Sequence, residues 1–264
     1  MQLNFKKMGK GQPFIILHGL FGSLDNWQSI ARELASTFEV YLVDLRNHGD
    51  SFHHEDFSYD AMSKDLAIFL TTHTIENPII MGHSMGGKVA MNFALKNPGH
   101  FDKLIVVDIA PKSYPVHHDR ILEGLSALDV KNLTSRNEAD QQLAEYVPQR
   151  AVRQFLLKNM GREKSGGFSW KINLEGIQEN IGLVGDGIAD NLRSDKQTLF
   201  IVGKKSDYIK EEDISGIRAI FANSKIEWIE GAGHWVHAEQ PQQFLAVVNA
   251  FLDGASSKPA EQVK

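Results

Sequence analysis

The stretch "NPIIMGHSMGGKVAMNFALKNP", residues 77–98, decides the fold. An apolar run stops at Gly82-His83-Ser84-Met85-Gly86-Gly87. A helical pattern then begins, with Val89, Ala90, Phe93 and Ala94 on one stripe before Pro98. A serine hydroxyl is a poor nucleophile and must protrude from the backbone to meet a substrate. A sharp strand-to-helix turn makes it protrude. That turn crowds the chain two residues before and two after the serine, where glycine fits. Gly82 and Gly86 stand at those positions, so the pattern predicts a G-x-S-x-G elbow with Ser84 at its tip. The helix starting near Met85 then aims its free N–H groups at the same point. An incidental serine in a glycine-rich turn would explain the motif, but not the strand and helix that flank it.

The same alternation extends outward in both directions. Short runs rich in Val, Ile, Leu and Phe occur at 13–19, 38–44, 77–83, 102–108, 197–203 and 225–231. Strands buried on both faces of a parallel sheet look like this. Between them, Trp27, Ile30, Ala31 and Leu34 form one helical stripe, and Met62, Leu66 and Phe69 or Leu70 another. Strands alternating with helices predict an α/β fold with a mostly parallel, doubly wound sheet. The runs end in Gly, His or Asp on the edge where ligands bind in such sheets. From Pro111 to Lys196 no convincing β run occurs, while "HDRILEGLSAL", "NEADQQLAEYV" and "RAVRQFLLKNM" carry helical patterns. This predicts a core from residues 1–110 and 197–264 with a helical cap inserted at 111–196. The polar tail "GASSKPAEQVK" reads as frayed.

Composition narrows the partners. The 264-residue chain is 42% hydrophobic with a formal net charge of -5, and it has no dense Lys/Arg run. Nucleic acid and anionic membrane are therefore not expected as partners. There is no cysteine, which removes disulfides and thiolate chemistry. The N-terminus lacks the apolar stretch of a signal peptide, and the apolar runs are strand-sized, so a cytoplasmic location is the expectation.

An activated serine requires further parts. A base should follow it in the chain, and His234 lies on the glycine-rich loop "IEGAGHWVHAEQP" after the last apolar run. His237, three residues on, reads as a supporting or surface residue. A metal pair with His234 lacks an evident acidic ligand set. Donors for a developing oxyanion are expected from "ILHGLFGS", whose glycines leave the backbone bare. The N–H groups of Leu20 and Met85 are assigned, with Phe21 the alternative to Leu20, and His18 reads as a brace.

Together "HGLFGSLDNW", "DLRNHGDS", "GHSMGGKVAM", "VVDIAP" and "GAGHWVHAEQP" resemble the α/β-hydrolase-fold serine esterases, and among them the small bacterial YbfF-type esterases. The resemblance covers the core and is weaker in the cap. It implies hydrolysis of small-molecule acyl esters or thioesters through an acyl-enzyme, without a cofactor. It also implies that Asp44, Arg46 and His48 build a structural turn.

Two acids compete to orient His234. The family's usual position, three residues after a glycine, holds Ser206 here, and Asp207 comes one residue late. The resemblance to YbfF-type enzymes favours Asp108, in "LIVVDIAP", with Ser206 as a hydrogen-bonding helper. Serine at the elbow, in place of aspartate, disfavours dehalogenase and epoxide hydrolase chemistry. C–C bond hydrolysis or lyase-like chemistry on the same fold, and a non-catalytic ligand receptor, stay open. In the cap, Phe155, Leu156, Met160, Phe168 and Trp170 are candidates for an acyl pocket or for simple cap packing, and Phe155 and Trp170 are assigned with Phe21 as substrate contacts. Arg120, Arg150 and Arg153 could meet an anionic leaving group or be solvated. "FHHEDF" and "VHHD" look metal-like only in composition. No metal site is assigned, and the sequence says nothing of oligomeric state.

Overall fold

The computed structural model describes residues 2–164, 166–188 and 191–254, so most of the polar tail lies outside the described residues. Every apolar run forms a strand. The strands, in chain order, are β1 (Phe5–Met8), β2 (Pro13–Leu17), β3 (Glu39–Val43), β4 (Ile79–His83), β5 (Leu104–Val107), β6 (Met160–Arg162), β7 (Phe168–Trp170), β8 (Thr198–Gly203) and β9 (Ser224–Ile229). Seven of them make one sheet in the order β1-β3-β2-β4-β5-β8-β9. All its pairings are parallel except β1 with β3. β1 escaped the sequence reading because it is an edge strand. Lys6 and Lys7 face solvent there instead of an apolar neighbour, and Lys7 pairs with Glu39 of β3 at 2.6 Å.

The sheet divides the core by side-chain alternation. Phe14 and Ile16 of β2 pack on one face, with α1 (Gln28–Leu34) and α11 (Pro241–Leu252). Ile15 and Leu17 pack on the other, with α2 (Tyr59–Thr72) and α3 (Met85–Lys96). α2 begins where Ser58 accepts the Ala61 N–H at 3.2 Å, an N-cap that satisfies one orphan donor of the first turn. β3 lies on one side of β2 and β4 on the other, so the chain reverses direction across β2. Such a switch point opens a crevice at the C-terminal strand ends, and both the "HGLFGS" loop and Ser84 emerge there.

Between β5 and β8 the chain forms α4 (Asp119–Ala127), α5 (Arg136–Leu143), α6 (Arg150–Leu156), α7 (Leu174–Glu179) and α8 (Ile181–Val184). The purely helical reading of this segment needs correction, because β6 and β7 pair there as a small antiparallel sheet. Three-residue strands are too short to show a period of two. Their turn uses Gly167 at φ +72°, where a Cβ would sit 2.0 Å from the Lys131 carbonyl oxygen. The segment is tied to the rest of the chain by polar bonds. Asn173 N–H donates to the Asn47 carbonyl at 2.9 Å, and Tyr59 Oη donates to the Val184 carbonyl at 2.7 Å. Lys88 of α3, almost fully buried, donates to the Gly185 and Asp186 carbonyls, and burial lowers its pKa to about 8. After β8 come α9 (Ile214–Ile220) and α10 (Val236–Glu239). No helix among the described residues is long and apolar enough to cross a membrane.

Candidate active site

Ser84 sits at the tip of the β4–α3 turn with φ +52° and ψ −119°. A non-glycine residue there is strained, and it holds because its neighbours are pinned. Its N–H donates to the Val107 carbonyl at 3.0 Å. The glycines answer the geometry predicted for them. A Cβ on Gly82 would lie 2.1 Å from the Gly86 carbonyl oxygen, and one on Gly86 would lie 2.4 Å from the His18 carbonyl oxygen.

Asp108 follows β5, fully buried, at φ +53°. Its N–H donates to the Ile201 carbonyl at 2.8 Å, anchoring the turn to β8. Oδ1 accepts the Gly203 N–H at 3.0 Å. Oδ2 accepts Ser206 Oγ–H at 2.5 Å and His234 Nδ1–H at 2.7 Å. Because the carboxylate only accepts, the imidazole donates from Nδ1, which leaves Nε2 as the free nitrogen. Asp207 is exposed and does not reach His234. Ser84 and His234 line the same cavity, and their side chains are not hydrogen-bonded to each other. Such contacts commonly tighten only when substrate binds.

Three buried histidines support this group. His18 Nδ1 lies 2.8 Å from the Gly19 carbonyl, and Nε2 accepts the Leu45 N–H at 3.0 Å. His48 Nε2 accepts the Phe21 N–H at 3.1 Å, which occupies the alternative oxyanion donor. Burial lowers the pKa of His18 to about 4. Burial, and then the proximity of His18, lowers that of His48 to about 3. His83 donates from Nε2 to the His234 carbonyl at 2.8 Å and so tethers the loop that carries it. The N–H groups of Leu20 and Met85 have no partner among the described residues. His237 is buried, stacked on Trp27 at 3.8 Å, and so is not a surface residue. Among the described residues no three His, Cys, Asp or Glu side chains cluster as metal ligands would.

The cavity above Ser84 measures about 760 Å³, within the range of small-molecule sites. Phe21, Phe155 and Leu156 line it, as the sequence suggested, together with Leu20, Ile121, Val152 and Trp235. Trp170 does not line it, and its assignment as a substrate contact is corrected. It is half-buried and lines a separate groove with Leu128 and Leu174, while Phe168 and Met160 are buried in the interior of the inserted segment. Arg120, Arg150 and Arg153 do not line the cavity, and Arg153 is engaged by Asp140 at 2.9 Å; among the described residues Lys158 is the Lys or Arg at the cavity wall.

Sequence reasoning missed Tyr208, whose ring stacks on His234 at 4.0 Å, and Trp235, whose ring lies 5.6 Å from Phe155. Their only signal was an aromatic beside each candidate polar residue. His117 and His118 of "VHHD" also line the cavity, and the loop context gave no sign of that.

Comparison with known proteins agrees with this fold. The alpha/beta hydrolase fold family matches residues 12–241. The sn-1-specific diacylglycerol lipase ABHD11 of Danio rerio is 37% identical over 94% of this chain and 80% of its own length. Esterase YbfF of Escherichia coli is 34% identical over 91% of this chain and 93% of its own. A solved structure of a marine microorganism esterase superposes with a TM-score of 0.92 at 44% identity, covering 95% of this chain and 99% of that one. With the elbow, the switch-point crevice and these relatives all in agreement, the chain belongs to the alpha/beta hydrolase fold family, among its YbfF-like esterases.

Proposed function

We propose that this chain hydrolyses carboxylic esters through an acyl-enzyme on Ser84, with His234 as the base and Asp108 as the acid that orients it. The observation that carries this reading is the hydrogen-bonded chain Ser206–Asp108–His234 beside a strained serine at the head of α3. His234 Nε2 takes the hydroxyl proton as Ser84 Oγ attacks the carbonyl carbon. The oxyanion that forms is held by the Leu20 and Met85 N–H groups. Collapse breaks the bond to the alkoxy oxygen, which leaves with the proton from His234. Water then repeats the attack on the acyl-enzyme and releases the acid, restoring Ser84.

Residues 111–196 act in this reading as a cap whose apolar underside, with Phe155 and Trp235, holds the acyl chain. The names of ABHD11 and YbfF support ester substrates, and an acylglycerol is one class to test. Thioesters fall within the same mechanism, with Lys158 the cation available to an anionic leaving group. The reading is tested with Ser84→Ala. Turnover of p-nitrophenyl esters should fall by on the order of 10⁴–10⁶ while the fold is kept, and a fluorophosphonate should label only the unsubstituted protein. Normal turnover in the variant would end it.

A further inference from the structure

The loop after β2 is held at three successive peptides. His18 Nδ1 lies 2.8 Å from the Gly19 carbonyl and donates to it. That carbonyl belongs to the same peptide as the Leu20 N–H, so the bond sets the direction of the donor. His48 Nε2 accepts the next N–H, that of Phe21, at 3.1 Å, and His48 Nδ1 donates to the Arg46 carbonyl at 3.0 Å. The third hold comes from the inserted segment. Asn159 Nδ2 donates to the Phe21 carbonyl at 2.7 Å and to the Leu156 carbonyl at 3.0 Å. Phe21, His48 and Asn159 are 3%, 0% and 3% exposed. None of these bonds is therefore easily replaced by water.

Phe21 needs this restraint. It stands at φ +57°, a left-handed conformation that an aromatic residue rarely adopts. Its carbonyl shares a peptide with the Gly22 N–H, which donates to the Gly19 carbonyl at 2.9 Å. Without Asn159 that turn bond and His48 would be left to hold the strained φ, and any relaxation there would move the preceding peptides, including the one that carries the Leu20 N–H. Asn159 lies immediately before β6, at the end of the chain segment leading from α6. Its amide therefore bridges the helix end at Leu156 and the core loop at Phe21.

We propose that Asn159 is a positioning residue for the oxyanion-binding loop. His18 and His48 hold the loop from the core side, and the seated inserted segment supplies the remaining hold that keeps the Leu20 N–H in its working direction. This rests on the reading of Ser84 as nucleophile and Leu20 as donor. Assembly of the oxyanion site is thereby coupled to the seating of the element that covers the substrate.

The test uses the full chain with Asn159→Leu, which keeps a similar volume and removes the donor. Expected is a loss in kcat on the order of 10–100-fold, with KM changed by less than about threefold, the signature of an interaction made in the transition state. A trifluoromethyl ketone, whose adduct oxyanion occupies the same donors, should lose affinity by a similar factor. A role in packing alone would raise KM and leave kcat and the ketone's relative affinity unaltered, and that result overturns the proposal. Should the leucine variant misfold, Asn159→Ser carries the same test, because its hydroxyl is too short to reach the Phe21 carbonyl. Fluorophosphonate labelling of the unsubstituted protein separates the two levels. Absence of label at Ser84 defeats the nucleophile reading itself. Label at Ser84 with unaffected Asn159 variants defeats only the coupling.

Discussion

Asp108→Asn is the most informative single substitution. The carboxylate is fully buried and accepts the Gly203 N–H, the Ser206 hydroxyl and the His234 Nδ1–H. An asparagine of the same shape keeps one acceptor oxygen and replaces the other with an amide NH2, which only donates. With the NH2 toward His234, two donors face each other at 2.7 Å. The imidazole then avoids the clash by moving its proton to Nε2, where it can no longer take the Ser84 proton. The loss expected is on the order of 10³–10⁴ in kcat, or about 4–5.5 kcal/mol of transition-state stabilisation. Asparagine also tolerates the positive φ of this position, so the backbone turn into the inserted segment is kept and the loss reads chemistry. The assay is steady-state hydrolysis of a p-nitrophenyl ester at one pH, with circular dichroism as the check on folding. Asp207→Asn is the control. Its side chain is exposed and makes no contact with His234, so turnover should stay within about twofold. A folded Asp108→Asn protein with near-normal turnover, or a crippled Asp207→Asn protein, would refute the assignment.

Two further outcomes follow from the same contacts. Ser206→Ala removes one of the donors to Asp108 Oδ2 and should lower turnover by about 10-fold, read beside Asp108→Asn in the same assay; an unchanged rate would make Ser206 a bystander. Burial lowers the pKa of His18 to about 4, and those of His48 and His237 to about 3, in the folded protein. The unfolded chain therefore binds more protons than the folded one between those values and the ordinary 6.5. The stability these groups contribute is present above pH 6.5 and is lost as pH falls toward 4 and then 3, by on the order of 2 kcal/mol for each between pH 7 and 5. Urea titrations across that window check the sign, and stability rising on acidification would contradict it.

Neighbours in the chain were enough to read the sheet's central strands, the elbow and the chain order of serine and histidine. These features are local. A strand buried on both faces must be apolar throughout, and a Cβ at Gly82 or Gly86 would collide with backbone whatever the rest of the chain does. The hydrogen-bond partner of His234 was a different kind of question. Asp108 and Ser206 stand far apart in sequence, and the pairing of β5 with β8 brings the Ser206 hydroxyl onto the same carboxylate oxygen that holds His234.

The same distance hid the cavity wall. Phe155, Phe168 and Trp170 read alike as aromatics in one segment, yet the pairing of β6 with β7 places half-buried Trp170 on a separate groove while Phe155 faces Trp235. Asn159 carried no signal at all, because an amide is informative only once it is known which carbonyl it meets. Local sterics and periodicity can be read from neighbours in the chain. Which side chains share a cavity, or a proton, depends on contacts across more than a hundred residues that only the folded chain creates.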